Sequence, residues 1–161
     1  MTEDPELVKN LTNPLSRRET PLGTLLGAAA RQLGSELDDA LRRAELEGVR
    51  SAHAAVFQFI EPGGSRLGDL AERAGMTKQA LGELVRHLEE HGYVTVAPDP
   101  DDRRAKRVTL TGAGWHVVEV GVRVIDDYDD RLRKLIGPDT VRELRRQLEL
   151  IRNGIDTAAD D

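Results

Sequence analysis

Apolar residues recur at three- and four-residue steps through most of this chain, and that spacing predicts helices. Leu22, Leu25, Leu26, Ala29, Leu33, Leu37 and Leu41 share one face of a helix opening at Thr20-Pro21, a cap residue followed by proline at the first helical position. Gly48 suggests a break, and Val49, Ala52, Val56 and Ile60 continue the period in a second helix that stops at Glu61-Pro62-Gly63-Gly64. A shorter helix around Gly68 to Ala74 follows, then Gly75, then a helix from Thr77 to about Glu90 that ends at Gly92. The period then changes to two: Tyr93 to Val96 and Arg107 to Thr111 read as paired strands, with Val94/Val96 and Val108/Leu110 alternating with polar neighbours. No other strand is evident. Thr111 caps a further helix whose apolar positions are Trp115, Val118, Val122, Ile125, Leu132, Leu135 and Ile136. Gly137-Pro138 separates it from a last helix with Val141, Leu144, Leu148, Ile151 and Ile155 on one face. Residues 1–19 show little periodicity and read as an arm with one short helical stretch.

A helix-turn-helix needs a small residue where two helices cross, a turn residue that tolerates left-handed backbone, and apolar residues that fix the crossing angle. Ala71 and Gly75 meet the first two needs, and Leu70, Ala74, Met76, Leu81 and Leu84 fall where the shared core lies. Thr77 sits where a cap satisfies the free N–H groups of the second helix. On the face away from Ala80, Leu81, Leu84, Val85 and Leu88 that helix shows Lys78, Gln79, Gly82, Glu83 and Arg86. Glutamine pairs with adenine and arginine or lysine with guanine through major-groove edges, while Thr77 and the helix N-terminus suit a phosphate. Taken singly, each of these side chains reads equally well as part of a solvated face; the set favours DNA contact.

The connection between the strands, Ala97 to Lys106, is too long and too charged for a minimal turn, and such loops tend to be functional. Asp99, Asp101 and Asp102 precede Arg103, Arg104, Lys106 and Arg107. A carboxylate two residues before an arginine, as Asp102 is to Arg104, would hold the guanidinium extended at a hairpin tip, which suits a narrow, electronegative minor groove. Arg103, Arg104 and Lys106 are therefore candidates for DNA contact and Asp102 for their support. The architecture expected is mainly α with a small β-hairpin wing: an arm at 1–19, a winged helix-turn-helix at 49–111, and dimerisation helices at 20–48 and 112–161. The longest helices, of ~25 residues, would span about 37 Å, more than a small domain is wide. Their apolar stripes call for a second copy, so a homodimer is expected.

Composition bounds the rest. The chain has 161 residues and no cysteine, which excludes disulfides, thiolate metal sites and thiol redox switches. Met1 to Pro5 shows no secretory pattern and no apolar run nears the ~18 residues of a membrane span, so a cytoplasmic protein without membrane attachment is expected. The net charge of −6 is unusual for a nucleic-acid binder. It is unevenly placed: Gly64 to Thr111 holds eight basic and eight acidic residues, so the whole excess lies outside that segment.

Leu67-Gly68-Asp69-Leu70-Ala71 through Gly92-Tyr93-Val94, followed by Asp99-Pro100-Asp101-Asp102-Arg103-Arg104-Ala105-Lys106-Arg107-Val108-Thr109-Leu110-Thr111, resembles the MarR family of bacterial regulators. The resemblance implies a winged helix in a triangular homodimer, with Arg104 as the wing arginine that enters the minor groove of double-stranded DNA. It implies a transcriptional regulator, most often a repressor, released by a small and frequently aromatic or phenolic molecule. His53, Phe57, Trp115 and His116 lie on the helices that in the resembled fold line the effector cleft, although core packing is the plainer reading for each. The alternatives are a winged helix that serves only protein interaction and, less well supported, a metal-dependent enzyme. His87 and His91 stand four apart, as helical metal ligands do, but no His-Glu-x-x-His and no third ligand accompany them, and exposed histidines at a helix end are expected. No phosphate-cradling glycine loop, Gly-x-Ser-x-Gly or cysteine nucleophile is present, so neither a catalytic residue nor a cofactor is expected.

Overall fold

In a computed structural model residues 19–155 are described, the side chain of Ile155 excepted, and the expected arm at 1–19 lies outside them but for Glu19. The chain divides into two units, Met1–Gln32 and Leu33–Asp161. The first helix, α1 (Leu22–Arg43), begins in the former and ends in the latter. It starts just after Pro21, whose carbonyl takes the first helical bonds from Thr24 and Leu25, and Arg42 and Arg43 lie in its last turn, where cations complement the helix dipole.

The second segment departs from the expected helix over 49–60. A 3₁₀ turn, Ser51–His53, precedes a six-residue helix, α2 (Ala54–Phe59). At the start of this turn the Asp38 carboxylate accepts from the Ser51 N–H (2.5 Å) and hydroxyl (3.2 Å). The phase is reset accordingly. Val49, Val56 and Ile60 are buried as expected, whereas Ala52 is exposed.

The central elements follow the sequence closely. Helix α3 (Leu67–Arg73) leads through Gly75 at φ +62° into α4 (Lys78–Glu90). The Met76 N–H returns to the Ala71 carbonyl (2.9 Å), and Thr77 caps α4 by accepting from the Ala80 N–H (3.1 Å). Leu70, Ala71, Leu81, Val85 and Leu88 are buried between the two helices and the sheet. That sheet has three strands, not two: β1 (Ser65–Arg66), β2 (Val94–Pro98) and β3 (Lys106–Leu110), all antiparallel in the order β1-β3-β2. Two residues are too few to show any alternation, which is why β1 has no signal of its own in the sequence.

Helix α5 (Gly112–Ile136) is capped by Thr111, which accepts from the Gly114 N–H (3.1 Å) and donates its hydroxyl to the Gly92 carbonyl (2.7 Å). Its core-facing residues are Gly114, Val117 and Val120. Of the stripe expected from periodicity, Val118 packs against the core and Leu132 is half-buried, whereas Trp115, Val122, Ile125, Leu135 and Ile136 are exposed. The helix therefore has two apolar faces, and among the described residues the one that bears Val122 and Ile125 is the less covered. Gly137, at φ +86°, ends it, and α6 (Pro138–Ile155) follows with Val141 buried and Leu144, Leu148 and Ile151 exposed. No helix among the described residues is long and apolar enough to cross a membrane.

Candidate nucleic-acid interface

The N-terminal half of α4 presents its polar residues outward. Thr77, Lys78, Gln79, Glu83 and Arg86 are exposed and Gly82 is half-buried, while Leu81, Val85 and Leu88 fill the core behind them. Lys78 leans over the first turn of α3, where Gly68 leaves room: a Cβ there would stand 2.9 Å from the lysine Cε. Neither Lys78 nor Arg86 pairs with an acid among the described residues.

The wing tip is built around Asp99, an organising residue that the sequence did not single out. Its side chain is wholly buried. Oδ1 accepts from Arg66 Nη2 (3.0 Å) and from the backbone N–H groups of Asp101 and Asp102 (3.1 Å each). Oδ2 accepts from Arg107, whose Nε and Nη2 each lie 2.9 Å away. The Arg66 hydrogen bond is the main cause that holds this carboxyl at about 2, with the two loop N–H groups and Arg107 acting in the same sense against the cost of desolvation. Arg107 also donates to the carbonyls of Gly64 (3.1 Å) and Gly63 (3.4 Å). Gly64 sits at φ +82°, where a Cβ would stand 2.5 Å from the Thr109 hydroxyl, so the turn before β1 closes tightly on β3.

Asp102 supports the tip in a manner different from the one expected. Its Oδ1 accepts from the backbone N–H of Arg104 (3.0 Å), not from the guanidinium. The Ala105 N–H returns to the Asp102 carbonyl (2.8 Å) and the Asp99 N–H to the Ala105 carbonyl (2.9 Å), closing the loop. Arg103, Arg104 and Lys106 are left exposed, and none of them pairs with an acid among the described residues. Arg66 and Arg107 serve Asp99, and Arg73 serves Glu61. The uncommitted cations between Gly64 and Thr111 are thus Lys78, Arg86, Arg103, Arg104 and Lys106, on α4 and the wing tip.

The four residues expected to line an effector cleft are not brought together. Phe57 borders an open apolar cleft of about 120 Å³, with Leu37, Leu41, Val49, Val117, Val118 and Ile125 around it and Arg50 as its one charged side chain. Trp115 and His116 are exposed and line no part of it. His53 turns away to stack on His87, with ring centroids 4.9 Å apart and planes within 1°. Burial, and then the His87 ring, lower the His53 pKa, and its Nδ1 accepts from the Arg50 N–H (3.0 Å).

Of the two histidines expected to be exposed at the helix end, His91 is exposed and His87 is not. His87 is half-buried and donates through Nε2 to the Gly48 carbonyl (2.7 Å). His91 tilts against it at 4.2 Å and donates through Nδ1 to the His87 carbonyl (2.8 Å). The three rings brace the C-terminal end of α4, and Tyr93 adds a bond from its hydroxyl to the Glu47 carbonyl (2.7 Å). Among the described residues no group of three or more His, Asp or Glu side chains is placed to hold a metal ion.

Comparison with known proteins gives the same picture. A model described as the MarR family matches residues 47–105. The transcriptional activatory protein BadR of Rhodopseudomonas palustris is 37% identical over 83 residues, which are 49% of this chain and 47% of BadR. The chain thus spans about half the length of that relative. The transcriptional regulator HosA of Escherichia coli O111:H- is 32% identical over 107 residues, 65% of this chain and 77% of HosA. Among solved structures, that of the S. aureus MepR-DNA complex superposes with a TM-score of 0.72 at 17% identity, covering 84% of this chain and 99% of MepR. The helix-turn-helix, the wing and the extent of the match to HosA agree: the chain belongs to the MarR family.

Proposed function

We propose that the chain is a transcriptional regulator that binds double-stranded DNA as a homodimer. The observation that carries this reading is the placement of Lys78, Arg86, Arg103, Arg104 and Lys106: uncommitted to any acid, on the outer face of α4 and the tip of the wing. Lys78, Gln79, Glu83 and Arg86 would read base edges in the major groove, with Glu83 suited to a cytosine amino group. Thr77 and the α4 N-terminus would hold a phosphate, and Arg104 would reach the neighbouring minor groove. Support comes also from MepR, a protein of the same fold whose structure is that of a DNA complex, and from the names of BadR and HosA as transcriptional proteins.

The homodimer is proposed on the apolar side chains left uncovered. Leu22 and Leu25 on α1, Val122, Ile125 and Leu135 on α5, and Leu144, Leu150 and Ile151 on α6 are exposed, and contiguous apolar surface marks interaction sites. A second copy that covers them would set two α4 helices ~34–36 Å apart on a roughly palindromic site. The cleft around Phe57 and Arg50 would accept a small aromatic or phenolic molecule, the guanidinium meeting its polar group.

Selection from a random-sequence duplex pool tests the reading. The wild-type protein should enrich a two-fold symmetric consensus, and Gln79→Ala or Lys78→Ala should change the preferred bases within each half. Recovery of no consensus, or of the same consensus from all three proteins, would remove α4 from the groove.

A further inference from the structure

We propose that Asp99 is a positioning residue for DNA binding: it locks the wing tip that carries Arg104 to the helix-turn-helix, so that the tip and α4 meet DNA as one rigid surface. The inference rests on the DNA-binding reading above.

The geometry is that of a clamp. Arg66 stands at the N-cap of α3, the first helix of the helix-turn-helix, and Arg107 stands on β3. Both guanidinium groups converge on one carboxylate that is closed off from water, while the same carboxylate takes two N–H groups of the tip loop. The line of bonds continues outward. Asp99 accepts from the Asp102 N–H, and Asp102 in turn accepts from the Arg104 N–H. Three side-chain hydrogen bonds, each 3.0 to 3.1 Å long, therefore connect the start of α3 to the backbone of Arg104.

A loop tip with few ties to the body of the fold is among its more mobile parts. An arginine carried on it would lose conformational freedom on entering a groove, and the loss would subtract from affinity. The clamp removes that loss in advance. It also explains why Arg66 and Arg107, which border the wing, are directed inward rather than kept free as further cations. Loss of the clamp should therefore act on what Arg104 contributes and leave the contribution of α4 unchanged.

The test uses a duplex that the wild-type protein has selected from a random pool, with Kd measured by fluorescence anisotropy and concentrations scaled to the folded fraction from circular dichroism. Asp99→Asn should weaken binding about tenfold. In that background Arg104→Ala should cost only a small further factor, whereas it costs much more in the wild type. Lys78→Ala should cost the same factor in both backgrounds. A residue that served only the stability of the fold would give factors for D99N and R104A that multiply, and either that result or an unchanged Kd for D99N overturns the proposal. Should D99N not fold, Arg66→Gln, which leaves Arg107 on Asp99, goes through the same cycle with the same two outcomes. A wild-type protein that selects no duplex refutes the DNA-binding reading and this inference with it; one that binds while the cycle is multiplicative refutes this inference alone.

Discussion

At the scale of the residue, a carboxylate among Asp101, Asp102, Arg103 and Arg104 would ordinarily sit in water, and Asp99 does not. Two guanidinium groups and two loop N–H groups keep it ionised down to about 2 from an ordinary 3.8, so protonation must break the clamp. The folded-state value lies below the unfolded one. The stability it confers is therefore complete above about pH 4 and is lost as the pH falls through that range toward 2. Asp99→Asn removes that contribution at every pH. Thermal melting should show a gap between wild type and D99N that is constant from pH 5 to 7 and closes toward pH 2; a gap of the same size at pH 2 would mean that the charge on Asp99 does not matter. Gly114 makes a second case. A Cβ there would collide with the Tyr93 carbonyl, so the start of α5 packs against the start of β2 only because nothing protrudes. Gly114→Ala should cost about 1–3 kcal/mol in urea unfolding, as overpacking does elsewhere, whereas Gly112→Ala, which meets nothing, should cost far less.

At the scale of the element, what could be read in the sequence was whatever repeats with a fixed period. Leu81, Val85 and Leu88 recur at helical steps, and Thr77 and Gly75 mark where α4 begins, so this helix stands within one residue of its expected start. The departures come where a side chain remote in sequence intervenes. Asp38 holds Ser51 at the entry to α2 from 13 residues away, Arg66 reaches Asp99 across 33, and His87 reaches the Gly48 carbonyl across 39. No local pattern carries such bonds. Helix α5 misled differently, because both of its faces are apolar and periodicity alone does not say which one the chain covers first. The two contacting elements should separate cleanly in experiment. Thr77→Ala should lower stability by ~1 kcal/mol through loss of the cap. Arg104→Ala should leave stability unchanged and weaken DNA binding by about 1–3 kcal/mol. Equal stability losses for the two variants would contradict a capping role for Thr77 that Arg104 does not share.

At the scale of the whole molecule, the proposed function has a chain of net charge −6 approach a polyanion, and the long-range field of the body would oppose it. The local cations of α4 and the wing would favour contact, and among the described residues these two elements offer five per subunit that no acid has claimed. Few of these can meet phosphates at once, and each phosphate neutralised steepens the salt dependence by about 0.9 in log K against log salt. A single subunit should consequently bind weakly at physiological salt, and useful affinity should require two subunits on one duplex. The second engagement is then intramolecular and gains effective concentration rather than new contacts. The exposed apolar faces of α5 and α6 would supply the means of joining. Leu148→Glu places a charge on one of these faces, away from α4 and the wing, so it should leave the far-ultraviolet spectrum unchanged while lowering the sedimentation mass from twice 17.8 kDa toward the single-chain value. DNA affinity should fall with it by far more than Arg104→Ala costs, and the slope of log K against log salt should drop to about half. A variant that sediments as a monomer and keeps both the affinity and the slope of the wild type would show that one subunit suffices, and that the uncovered leucines serve something other than DNA binding.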